Sequence, residues 1–152
     1  MSRLRLPNGD DHPEAARRHL DDALALNRAT RPDGAAYLAG YVVECSLKTL
    51  ILHEMGVTIE HEPLPWRGGY HGHDLRFLAG QASSAAALAG VRTARYLGSA
   101  LTGFSSAPIA GWVPELRYRA PSITPYVASE WLANAQALYQ QTVAQMLLDG
   151  VV

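Results

Sequence analysis

One stretch of this chain limits its fold more than any other: AAYLAGYVVECSLKTLI, residues 35–51, a nearly continuous apolar run too long for an ordinary strand. Read at helical period it is apolar almost all the way round, which predicts the central, buried helix of an all-α fold. Glu44 and Lys48 interrupt it, and Lys48 is the single lysine among thirteen basic residues. On a helix, Tyr37, Tyr41, Glu44 and Lys48 share one face at steps of four, three and four. An exposed Glu–Lys pair at that spacing contributes only about 0.2–0.5 kcal/mol. In apolar surroundings an unpaired charge costs several times more, so further partners are expected, with Arg117 a candidate. The tyrosine–glutamate–lysine stripe reads as a polar core element that fixes helix register.

The remaining helices follow from their caps and stripes. Asp11, Pro13 and Glu14 open a first helix with Ala16, Leu20, Ala23 and Leu24 on one face. Pro32 ends it near residues 29–31, and Asp33 is expected to cap the central helix, which stops at Gly56. Gly40 inside that helix predicts a neighbouring helix crossing closely. Asp74 opens a third helix along DLRFLAGQASSAAALAG, and His73 reads as a cap or anchor at its start. Thr124 and Pro125 open a last helix with Ala128, Leu132, Ala135, Leu138, Tyr139, Thr142 and Met146 in a stripe to Asp149. No alternating strand pattern occurs. The expected fold is an all-α, up-and-down four-helix bundle with extra short helical segments around 91–101 and after Pro114. It is expected to form one domain over 1–152, with 1–12 a loosely ordered segment.

Charge and cysteine content exclude several classes. A net charge of −1 excludes a generally basic nucleic-acid coat, but residues 64–119 hold six arginines against two acidic groups. That third could face RNA, a nucleotide or an acidic partner, with Arg92, Arg95, Arg117 and Arg119 as the expected binding residues. One cysteine, Cys45, excludes an internal disulfide and fits a reducing compartment. The opening MSRLRLPNGDDHP has no apolar core, and the charges in 35–52 make a poor membrane span. A cytoplasmic protein without membrane contact is expected.

The loop HEPLPWRGGYHGH carries the other candidate chemistry. Arg67 precedes His73 by six residues beside Trp66 and Tyr70, aromatics able to stack on bases. Arg67, His71 and His73 are therefore the catalytic candidates of this loop. His71 and His73 with Glu60, His61 and Glu62 supply metal ligands on paper, but nothing in the loop fixes their geometry, so no metal site and no cofactor is expected. Trp112 and Trp131 read as core or interface aromatics.

Four segments together resemble the HEPN domains. AAYLAGYVVECSLKTL is similar to the family's second-helix run. Ala16, Arg18, His19, Leu20 and Ala23 are similar to its first helix, and GHDLRFL (72–78) and WVPELRY (112–118) follow in order. The resemblance implies a helical bundle that often dimerises and that serves either as a metal-independent ribonuclease or as a non-catalytic module. It implies a toxin–antitoxin or defence system, with an antitoxin or a nucleotidyltransferase as partner. The catalytic branch places a histidine four to six residues after a late arginine. Here no histidine follows Arg117 or Arg119. The expectation is thus a non-catalytic HEPN-like binding or regulatory module, a homodimer contacting RNA, nucleotide or a partner protein. The alternatives are a divergent ribonuclease using Arg67 and His73, and a plain oligomerisation bundle.

Overall fold

The computed structural model describes residues 2–55, 70–87 and 93–152, and among these every regular element is helical. Helix α1 spans His12–Arg28 and α2 spans Pro32–Met55. A short 3₁₀ turn, Tyr70–His73, leads into α3, Leu75–Ala86. Between α3 and the last helix lie the four-residue α4, Ser99–Thr102, and 3₁₀ turns at Ala94–Tyr96, Phe104–Ser106, Pro108–Gly111 and Pro114–Tyr118. The last helix starts as α5, Pro125–Tyr139, passes through a π turn, Gln140–Ala144, and finishes as α6, Gln145–Leu148.

Local chemistry accounts for these boundaries. Asp11 accepts the Glu14 amide at 3.4 Å, but Glu14 does not complete a capping box, because its carboxylate holds Arg17 at 2.6 Å. Asp74 caps α3 through the Phe77 amide at 2.9 Å, and Thr124 caps α5 through the Val127 amide at 3.2 Å. Asp33 departs from the sequence reading. Helix α2 already starts at Pro32, whose fixed φ suits a first turn, and the Asp33 carboxylate instead accepts the Ser122 and Ile123 amides at 2.9 and 3.1 Å. Those bonds, Ser122 first, hold its pKa below the ordinary carboxylate value. They also tie the start of α2 to the strap that precedes α5.

Helix α2 is the hub. It packs against α1, α5 and α3, while α1 also meets α5. By length and composition α2 could cross a membrane, but 83% of its most apolar window is buried inside the fold. Leu47, Leu50, Leu78, Ile109, Leu138, Val143 and Met146 fill the main core. The whole predicted stripe of the last helix lies in the buried set. Residues 2–11 are tied down: Leu4 and Leu6 pack on Leu52, and the Ser2 amide reaches Asp11 at 2.9 Å.

Gly40 corrects a second expectation. What lies against it is the Trp112 indole, and a Cβ on Gly40 would come within 2.0–2.2 Å of three of its ring atoms. Trp112, 2% exposed, also donates its Nε1–H to the Tyr37 carbonyl at 3.1 Å. Gly40 and Trp112 thus form a knob-and-notch joint holding residues 108–118 on α2. Gly40→Ala should destabilise the protein by roughly 2 kcal/mol in urea unfolding, since overpacking outweighs the alanine's helix preference. Gly80→Ala, exposed in α3 with nothing near its Cβ position, should instead stabilise by roughly 0.5–1 kcal/mol.

Candidate functional site

The charged face of α2 meets the entrance of α3 at one carboxylate. Glu44 and Lys48 have side chains only 5% and 8% exposed. Glu44 Oε1 accepts from Lys48 Nζ at 2.7 Å, and Oε2 pairs with His73 Nδ1 at 2.8 Å. An ionised carboxylate only accepts, so His73 donates from Nδ1 and keeps Nε2 for another partner. The His73 side chain is 52% exposed. The pair, for which a further partner was expected, finds one in His73, and the imidazole of the resulting triad reaches solvent.

A layer of aromatic rings flanks the triad. Tyr41 meets His73 edge-on at 6.1 Å, Trp112 at 5.0 Å and Tyr37 at 5.1 Å between centroids. The Tyr37 and Tyr41 hydroxyls are 3.2 Å apart. Burial, then the Tyr37 hydrogen bond, pushes the Tyr41 phenol well above its ordinary pKa, so it stays a neutral donor. Arg117 joins from the Pro114–Tyr118 turn; its hydrogen bond to Tyr37 is the main cause raising its pKa. Its guanidinium also lies 4.7 Å from the Tyr118 ring centre.

Above the triad opens a cleft of about 690 Å³, walled by the start of α3 and by residues 110–115. Lys48, His73, Asp74, Arg76, Trp112 and Glu115 contribute to its lining. It presents three basic groups with two acidic ones, a mixture suited to a ligand carrying both an anionic group and hydrogen-bond donors.

Two buried groups sit behind the triad. His12, 9% exposed, has its pKa lowered to about 4, chiefly by burial and then by the charge of Lys48, with Asp10 and Glu44 pulling the other way. Cys45 is pushed up to about 12, mainly by burial and then by Glu44, which makes it an inert thiol.

The other sequence candidates are scattered. Arg67 and Arg92 lie outside the described residues, as do Trp66, Glu60, His61 and Glu62. His71 stacks on Phe77 at 4.6 Å, with its Nδ1 3.9 Å from Asp74, and takes no part in the triad. Arg95 belongs to another cluster: it pairs with Asp149 at 3.1 Å and donates to the Tyr96 hydroxyl at 2.6 Å. Arg119 is exposed. His73 does not cap α3, since Asp74 does; it anchors α3 by reaching Glu44. Among the described residues no group of three His, Cys, Asp or Glu could hold a metal ion. Sequence reading missed Arg76 and Glu115. Both lie inside motifs noted above, but only the fold brings those motifs to one cleft.

Comparisons with protein-family models, with curated proteins and with solved structures return no match for this chain.

The depressed pKa of His12 has a direct consequence for stability. An unfolded histidine titrates near 6.5 and this one near 4, so between those values the unfolded state binds the extra proton. Stability contributed by neutral His12 is present above pH 6.5 and lost as pH falls toward 4, by roughly 3 kcal/mol across the window. Urea unfolding from pH 7 to 4.5 should show a shallower decline for His12→Phe than for the wild type.

Proposed function

We propose that this chain is a HEPN-like four-helix module that binds RNA or a nucleotide in the cleft above the Glu44–Lys48–His73 triad. It acts without cleaving its ligand and assembles as a cytoplasmic homodimer. Its partners are an antitoxin or a nucleotidyltransferase of a toxin–antitoxin or defence system. The observation that carries this reading is the convergence of three of the four resembling segments on one cleft. The second-helix run supplies Lys48, GHDLRFL supplies His73 and Arg76, and WVPELRY supplies Trp112 and Glu115. Arg117 adds an exposed guanidinium over the Tyr118 ring, suited to a phosphate. Catalysis is not assigned, because no histidine follows Arg117 or Arg119 in the chain.

One observation favours a second reading, the divergent ribonuclease. Glu44 holds His73 Nδ1 at 2.8 Å and leaves Nε2 available, as a carboxylate does for a histidine that transfers protons. Under that reading His73 moves the proton and Arg76 or Arg117 holds the phosphate.

Fluorescence anisotropy with a labelled single-stranded RNA, chelator present, tests both readings. Arg76→Ala and Arg117→Ala should each weaken binding about three- to tenfold and reduce the salt dependence by about one phosphate contact. Unchanged affinity in both variants, or no binding at low salt, would overturn the cleft assignment. The same samples run on a gel decide between the readings. Intact RNA supports the binding module, and cleavage lost in His73→Ala supports the enzyme.

A further inference from the structure

Tyr118 closes the 3₁₀ turn Pro114–Tyr118, and it is 77% exposed. One exposed ring is ordinary on a protein surface, so the weight falls on its register along the turn. A 3₁₀ helix has three residues per turn, and side chains three apart eclipse one another. Leu116 packs on the main core, which leaves two faces of the turn outward. One outward face holds Glu115 and Tyr118, and the other holds Pro114 and Arg117. Pro114 and Glu115 both line the cleft above the triad. Arg117 and Tyr118 therefore continue the two faces of that wall by one turn, about 6 Å further along.

The two continuing residues act on each other. The Arg117 guanidinium lies over the Tyr118 ring, 4.7 Å from its centre, and sets a positive charge against one face. At 77% exposure the opposite face is open to solvent. The backbone beneath them is held in place. The Leu116 amide bonds the Val113 carbonyl and the Arg119 amide bonds the Leu116 carbonyl, each at 3.2 Å. Just before the turn, Trp112 is seated in the notch at Gly40. A firmly carried ring with one open face and a cation behind it matches a nucleobase stacked next to its own phosphate.

We infer that Tyr118 is a stacking platform for a base of single-stranded RNA, one nucleotide beyond the unit held in the cleft, with the intervening phosphate on Arg117. The inference rests on the cleft reading above and narrows its ligand, from RNA or a nucleotide to an unpaired strand of two or more nucleotides. A duplex keeps its base faces in its own stack, so only an unpaired strand has one to offer the ring. Arg117 and Arg119, both exposed, flank the ring with positive charge, which suits a polyanion.

The test uses the full chain with two probes: labelled hexa-adenylate read by anisotropy, chelator present, and AMP read by titration calorimetry. Tyr118→Ala should weaken hexa-adenylate about tenfold and leave AMP unchanged, because a mononucleotide in the cleft does not reach the ring. Tyr118→Phe keeps the ring and should bind as the wild type does. Tyr118→Leu keeps apolar bulk without a π face and should behave like the alanine variant. Salt dependence separates stacking from charge: Tyr118→Ala should leave it as in the wild type, whereas Arg117→Ala lowers it. Unchanged hexa-adenylate affinity in Tyr118→Ala would overturn this inference and leave the cleft reading standing. Binding of neither probe to the wild type would overturn both. A dimer that dissociates in Tyr118→Ala at unchanged RNA affinity would give the ring to a second copy, and would also overturn the inference.

Discussion

The structure depends on a carboxylate that the core of α2 could not hold unaided. Glu44 lies among residues that exclude water, and an isolated charge in such a place is too costly to keep. Lys48 supplies the first counter-charge, one turn along the same helix. His73 adds a hydrogen bond to the other carboxylate oxygen, from 29 residues further on. Because that second bond joins two elements, neutralising Glu44 also fixes where α3 begins. The position of α3 then sets one wall of the cleft.

The opposite wall has a steric origin. Gly40 leaves a notch in α2, Trp112 fills it, and the indole N–H bonds a carbonyl of the helix it lies on. The 3₁₀ turns on either side of Trp112 contribute little regular structure, so this joint is a main anchor for them. It brings Glu115 to the cleft and Arg117 to Tyr37. Polar partnering on one side and close packing on the other hold the site open between them. Both originate on the same face of α2, where Tyr37, Tyr41 and Glu44 follow one another.

Much of this was legible in the sequence where the signal is local. Asp11, Asp74 and Thr124 announced their helices because a capping side chain acts within three residues of itself. The stripe of the last helix was legible because burial follows helical period. Lys48 was legible as the partner of Glu44 for the same reason. His73 was not, because periodicity carries no information across a 29-residue gap that includes a loop. Asp33 misled because a cap and a tether use the same carboxylate, and only the fold places Ser122 and Ile123 against it. Gly40 marked a close approach correctly but could not say whether a helix or a single indole made it.

The central claim is that one buried carboxylate couples α2 to α3 through two partners at once. A double-mutant cycle of Lys48→Met and His73→Phe, read by urea unfolding, measures that coupling directly. Losing Lys48 alone should cost roughly 3 kcal/mol. If the claim holds, removing His73 costs at least about 1 kcal/mol more when Lys48 is absent than when it is present, because Glu44 then loses both of its partners among the described residues. Additivity within about 0.5 kcal/mol would mean the two contacts are independent, and would contradict the account.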